Sequence, residues 1–422
     1  MVKIANAQAF WGDLDDAAAT LLLQDPSIDF LTLDYLAEVS LSILAIQKQK
    51  DPSLGYARDF LQVIESLKPF YLKGHPVRII TNAGGLNPHA CALACRKILP
   101  PSVKIGVVTG DDVLSYFSDG KWITANAYLG ARGIVDALQE GAHVVITGRT
   151  ADPSLTVAAA QFHYGWKNEA YDEISGATVA GHLIECGRQV TGGIVTDWLS
   201  VPGFFSMGYP IVEMEEDGSF VLTKPKNSGG RVSIGDVKEQ LLYELGDPDC
   251  YLSPDATVSF LRLQLDEVGE NRVSVKGSRG SAPPQTYKVS ATYDAGYKGE
   301  AMLAFFGNDL KEKVKRCAEM IHHRLKMKGL EPERFFYEAI GCGDLVPGMP
   351  TIETFECMGH FAVADKRLEV VERFAKEIAP LVTSGPQGTT GYIGGRIKPR
   401  RLFGYEPLKI KREQVKVEVN FV

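Results

Sequence analysis

Val77-Arg78-Ile79-Ile80-Thr81-Asn82-Ala83-Gly84-Gly85-Leu86-Asn87-Pro88 decides the fold class. Residues 77–81 form a short apolar run that reads as a buried strand, and it passes through a glycine pair into Asn87-Pro88. Asparagine is a good helix cap, and proline suits the first helical position, where its missing N–H costs nothing. The stretch is therefore a strand, a tight turn and a helix start in immediate succession. The pattern recurs on either side. Residues 104–109 run into Gly110-Asp111-Asp112, and 143–147 into Gly148-Arg149. Two earlier strands, 2–7 and 29–33, end at Asn6 and Asp34. Amphipathic helices are expected at 14–23, 36–47 and 56–67. In the first of these Leu14, Ala17, Ala18, Leu21 and Leu22 share one face, with Asp13 as its cap. This alternation implies an α/β fold, a mostly parallel sheet with helices on both faces.

The second half reads as α+β with antiparallel strands. Strands are expected at 210–212, 220–223, 257–265, 272–276 and 287–293, with helices at 235–244 and 310–327. The tail from Ser384 is rich in glycine and basic residues. Ser200-Val201-Pro202-Gly203 breaks the βα pattern, so the expected domains are 1–205 and 206–422.

Composition narrows the function. The 422 residues are 45% hydrophobic and 23% charged, ordinary for a globular chain. The net charge of −7 speaks against a nucleic-acid or anionic membrane surface. No stretch reaches the length of a transmembrane helix, and Met1-Val2-Lys3-Ile4 does not resemble a signal peptide. Seven scattered cysteines fit a reducing compartment, so cytoplasm is the expected location. There is no G-x-G-x-x-G after the first strand, no P-loop, no H-E-x-x-H and no paired C-x-x-C. NAD dehydrogenases, P-loop NTPases, zincins and zinc ribbons are disfavoured accordingly.

In open α/β sheets ligands bind beyond the carboxyl ends of the strands. Those ends carry Asn6, Asp34, Asn82, Asp111, Asp112, Arg149 and Asp152. Gly84 and Gly85 allow close approach of backbone to a ligand, and the helix start at Asn87 offers free N–H groups to an anion. Arg149 can hold a carboxylate or phosphate, or else close the crevice by pairing with Asp152 or Asp112. Asp34 and Glu38, four apart, are either an acid/base pair or first-turn acids. In Gly181-His182-Leu183-Ile184-Glu185-Cys186-Gly187, His182, Glu185 and Cys186 share one helical face. That face reads as a catalytic set, with Cys186 as nucleophile or Glu185 and His182 as base, as a weak metal site, or as a helix end with a buried thiol. Cys91 and Cys95 read as core thiols. Lys224, Lys226, Ser228, Gly229, Gly230 and Arg231 form either a phosphate clamp, suited to coenzyme A, or a solvated loop.

Several of these segments together resemble the AtuA family of acyclic terpene utilisation proteins. They are Asn6-Ala7-Gln8-Ala9-Phe10-Trp11-Gly12-Asp13, Leu33-Asp34-Tyr35-Leu36-Ala37-Glu38, the 81–88 turn, 108–112, 146–152, 181–187 and Glu239-Gln240-Leu241-Leu242-Tyr243-Glu244. Ala9 and His143 depart from the pattern, where glycine and an acid are expected. The resemblance implies catabolism of branched acyclic terpenoids through coenzyme A thioesters, and supplies no catalytic set. The resulting expectation is a lyase or hydratase acting on a small anionic substrate, a branched carboxylate or its coenzyme A thioester. His182 or Glu185 would be the base, Asp111 and Asp112 further acids, the Gly84-Gly85 amides the enolate stabiliser, and Arg149 the carboxylate holder. Two other readings stand beside it: an acyl-binding subunit that needs a small companion chain, and a metal-dependent hydrolase. A homo-oligomer is expected.

Overall fold

The computed structural model describes residues 1–117 and 120–422. The chain forms two compact units, Met1–Thr292 with Tyr405–Val422, and Tyr293–Gly404.

The first unit is built on parallel strands β1 (Val2–Asn6), β2 (Phe30–Leu33), β3 (Arg78–Thr81), β4 (Ile105–Thr109) and, after the separate β5 (Trp122–Ala127), β6 (Val144–Thr147). They lie in the order β1-β2-β3-β6-β4, each neighbouring pair parallel. Because successive side chains point to opposite faces, each strand feeds two cores. Ile4, Phe30, Ile80, Val108 and Val145 face one, and Ala5, Leu31, Ile79, Val107 and Val144 face the other. Helices α1 (Ala17–Gln24), α2 (Ser40–Lys50), α3 (Phe60–Leu72) and α4 (Pro88–Arg96) cover the second face. Helices α5 (Arg132–Gln139), α6 (Ser154–Tyr164) and α7 (Tyr171–Ile184) cover the first. Asn87 caps α4 through a bond from the Ala90 N–H, with Pro88 at the helix start. Asp13 does not cap α1, which begins only at Ala17. Its carboxylate instead accepts from the Ala9 and Leu14 N–H groups and the Tyr209 hydroxyl.

The sheet continues antiparallel beyond β1 through β7 (Ile211–Met214) and β8 (Phe220–Thr223), two strands beyond the expected boundary near 200–210. Helix α8 (Ile234–Leu242) follows, opened by a Ser233–Asp236 capping box. The segment 257–265, expected as one strand, is divided between two sheets. β9 (Tyr251–Leu252) pairs with β10 (Thr257–Ser259), whereas β11 (Gln264–Gly269) and β12 (Arg272–Lys276) extend the main sheet; β13 (Arg279–Ser281) flanks β10. β14 (Thr286–Phe306) is much longer than the expected 287–293, and its residues up to Thr292 belong to the first unit.

In the second unit β14 continues beside β16 (Glu356–Asp365), which pairs with β15 (Arg334–Ile340), and β17 (Thr389–Ile393) flanks β14. Helices α9 (Leu310–Met327) and α10 (Leu368–Ile378) pack on this antiparallel sheet around Leu303, Phe305, Phe361 and Phe374, with the short α11 (Leu381–Ser384) after them. β18 (Arg400–Lys411) leads back, and β19 (Glu418–Phe421) closes the main sheet antiparallel to β4.

Candidate functional site

The carboxyl ends of the parallel strands are cross-braced by their own polar residues. Asn6, at the end of β1, donates to the Ile184 and Glu185 carbonyls at 2.7 and 3.0 Å. Those carbonyls end α7 and have no helical partner, so a buried asparagine satisfies them and anchors the helix end over the sheet. Asp34, beyond β2, accepts from Asn82 Nδ2 at 2.6 Å, and Asn82 Oδ1 takes the Tyr35 N–H at 2.8 Å. Asp111, beyond β4, accepts the Arg149 N–H and Asn126 Nδ2, both at 2.8 Å. Burial pushes its carboxyl up to about 6.

Arg149 crosses the middle of this surface with only 2% of its area exposed. Nη1 donates to the Leu36 carbonyl at 2.8 Å and to Asp152 at 2.9 Å, and the guanidinium lies 4.2 Å over the Tyr128 ring. Its Nε has no hydrogen-bond partner, although buried donors are nearly always bonded. Burial, and then the neighbouring Asp152, push Asp34 well above the ordinary carboxyl value.

Above Arg149 lies a crevice with two lobes that share Glu38, Arg149, Asp152, Glu185 and Glu244. The first, about 600 Å³, is walled by Phe10, Trp11, Tyr35, Leu36, Ile43 and Tyr243. The second, about 330 Å³, is walled by Tyr128, Tyr251, Ser253, Tyr287, Lys288 and Lys409. Both volumes suit a small organic molecule. Glu244 has a positive φ of 54°, uncommon for a residue with a side chain.

Glu185 projects from the end of α7 into both lobes. One of its oxygens lies 3.2 Å from His182 Nδ1, and Oε2 is buried without a partner. Burial pushes its carboxyl up to about 7 against the opposing pull of His182. Burial alone would lower His182, but Glu185 outweighs it and holds the imidazole above its ordinary value. Tyr251 and Phe260 pack on the imidazole, each at 5.8 Å. Both groups stand above their ordinary values, Glu185 at about 7, and such a coupled pair is suited to proton exchange. Cys186 is different. Burial, and then Glu185, push its thiol up to about 12, which disfavours the thiolate that a cysteine nucleophile needs.

The structure thus brings Asp34, Arg149, Asp152, His182, Glu185 and Cys186 to one crevice, and places the other sequence candidates elsewhere. Gly84 and Gly85 are buried, and the Gly85 N–H bonds the Asn82 carbonyl. A Cβ on Gly84 would sit 2.5 Å from the Thr147 carbonyl oxygen and 2.8 Å from Pro88 Cα, so the glycine admits neighbouring backbone. Asn82 braces Asp34 from behind, and Asn87 holds the α4 start and the Pro52 and Leu54 carbonyls. Asp111 is a brace packed against Gly148, where no side chain would fit, and Asp112 is exposed and lines a separate hollow with Lys48 and Asn126.

The 224–231 loop lines neither lobe and is satisfied internally. Lys224 donates to the Ser228 carbonyl, and Ser228 Oγ to Pro225. Arg231 is held by Asp197 and Asp236, Gly229 is pressed against Gly203, and Gly230 supplies a positive φ of 86°. Lys226 points to solvent. Residues that the sequence did not single out also line the crevice: Tyr128, Tyr251, Lys288 and Lys409. No local motif marks them, because four separate segments deliver them.

A mixed α/β sheet, parallel at its centre and antiparallel toward both edges rather than mostly parallel as expected, with a ligand-sized crevice over the parallel strand ends, defines the class of the protein. The chain belongs to the AtuA family, described as acyclic terpene utilisation family protein AtuA, whose family model matches residues 2–421. Membership points to a role in acyclic terpene utilisation. No curated protein and no solved structure matches the chain. Among the described residues no helix is long and apolar enough to cross a membrane.

Proposed function

We propose that the crevice is the active site of an enzyme that moves a proton next to the carbonyl of a branched acyclic acid or its coenzyme A thioester, the step common to lyases and hydratases. The observation that carries this is Glu185. Its carboxyl stands at about 7, one oxygen is held by His182 and the other is buried without a partner. A base poised near the working pH with a free lone pair is suited to take a proton and return it. His182 is the positioning partner, stabilising the carboxylate and sharing its proton. The negative charge that develops on the substrate oxygen needs a donor, and Arg149, whose buried Nε has no hydrogen-bond partner, lines the same space. The aromatic and aliphatic wall from Phe10 to Ile43 suits a branched hydrocarbon. Among the described residues no three His, Cys, Asp or Glu side chains are grouped to hold a metal ion, so the metal-dependent hydrolase reading finds no donor set.

The test is solvent deuterium exchange into a β-methyl-branched enoyl-CoA thioester and the corresponding free acid, followed by NMR. Glu185→Gln should slow exchange by about 10²- to 10⁴-fold. Exchange at the wild-type rate in that variant would remove Glu185 from the role.

A further inference from the structure

The two lobes differ in charge, and the difference orients a ligand. The first carries Asp34, Glu38, Asp59, Asp152, Glu185 and Glu244 against Arg149 alone. Burial raises the Asp34, Asp152 and Glu185 carboxyls, and the lobe's cation Arg149 is paired with Asp152. The second lobe adds Lys288 from β14 and Lys409 from β18. Neither lysine lies within 4.0 Å of a carboxylate among the described residues, although Glu38, Asp152, Glu185 and Glu244 line the same lobe. Lys288 is instead held 4.8 Å over the Tyr128 ring, next to the Arg149 guanidinium stacked on that ring. Two cations share one aromatic ring, and the outer one has no counter-ion. Arg149, whose buried Nε is without a partner, lines this lobe as well.

We propose that Lys288 and Lys409 form an anion subsite. It takes the charged oxygens of the ligand, a carboxylate or a phosphate, while the uncharged branched chain extends into the first lobe. The proposal rests on reading the crevice as the binding site for an acyclic acid or its thioester, and it fixes the direction in which that ligand lies. Unpaired ammonium groups at a crevice mouth attract anions, and the acid-rich first lobe repels them. A ligand bound in the reverse direction would place its charge beside Asp34 and Asp59 and away from both lysines.

The experiment compares three probes by calorimetry on the full chain: a branched acyclic carboxylate, its coenzyme A thioester and the matching alcohol. At least one charged probe should bind about tenfold more tightly than the alcohol. In the Lys288→Gln/Lys409→Gln double variant that advantage should vanish while affinity for the alcohol stays unchanged. A preference for the free acid identifies a carboxylate subsite, and a preference for the thioester a phosphate subsite. The proposal is overturned if the alcohol binds as well as both charged probes, if the double variant keeps the preference, or if none of the three binds. Both lysines are exposed, so the substitutions leave the core intact. A failed subsite shows in binding, and a failed acid–base role shows in deuterium exchange.

Discussion

At the 81–88 turn the polar groups are engaged by the fold itself. The Gly85 N–H goes to the Asn82 carbonyl, the Asn87 N–H to the Gly84 carbonyl, and the Leu86 N–H to the Gly55 carbonyl. At the end of α7 the polar groups are equally buried, yet Glu185 Oε2 has no partner. Both regions carry residue types that suggest chemistry, and both lie over the same strand ends. A glycine pair reports that something approaches the backbone closely, and here that neighbour is the Thr147 carbonyl and Pro88. A buried carboxylate oxygen with nothing to bond is costly unless a ligand or a proton completes it. The proposed site rests on the unsatisfied group rather than on the permissive backbone.

Substitutions should separate the two regions. The largest effect belongs to Glu185. Besides the loss of exchange already stated, the wild-type exchange rate should climb as pH passes through about 7, where the carboxyl gives up its proton, and then level off. Glu185→Gln should lose that limb. A wild-type profile flat between pH 6 and 8 would count against a base of this kind.

Gly84→Ala should act on the other side of the comparison. Backbone of the β6 end and of the α4 start faces the new methyl and cannot move aside cheaply, so a loss of about 3 kcal/mol in unfolding free energy is expected. Exchange activity per folded molecule should stay within about threefold of wild type. If activity collapsed while stability held, the turn would belong to the active site.

A smaller effect follows from linkage. The folded value of Glu185 is raised from 4.5 to about 7, so the folded state keeps a proton that the unfolded state releases between those limits. Wild-type stability is therefore lost as pH climbs from about 4.5 to about 7, and the loss is constant above that. The raised value of His182 acts in the same direction, since its contribution is present in acid and fades as pH rises. Glu185→Gln removes the ionising carboxyl and leaves His182 without its partner. The melting temperature of the variant relative to wild type should increase across that window and flatten beyond it. A difference independent of pH would show that the carboxyl is not strained by burial.

The contrast also explains what could be read from sequence. The parallel core was legible because strands buried on both faces are short apolar runs that end in polar or glycine-containing turns. The Asn87-Pro88 helix start announced itself through cap chemistry. β19 was not legible, because its partner is β4, some 300 residues earlier, and nothing local encodes that pairing. β15 and β18 are mostly only partly buried and give a weak alternation. In the crevice, His182 and Glu185 were visible because three positions on one helix fix their distance. Lys288 and Lys409 come together only through tertiary folding. The cations of the 224–231 loop were visible, but their partners Asp197 and Asp236 were not, and those partners decide that Arg231 is a brace.

Cys186 gives the finest test of the contrast, since it sits beside Glu185 and lines the same lobe. Position alone would make it a candidate nucleophile. Its environment is against it, because burial and the Glu185 carboxylate hold the thiol up to about 12, and a useful nucleophile needs the opposite field. Cys186→Ser should keep exchange activity within about twofold and shift stability by less than about 1 kcal/mol. Alkylation by iodoacetamide at pH 8 should be slow and should increase toward pH 11. Abolished exchange in the serine variant, or rapid alkylation at pH 7, would move the reacting centre from the carboxylate to its neighbour one residue along the chain.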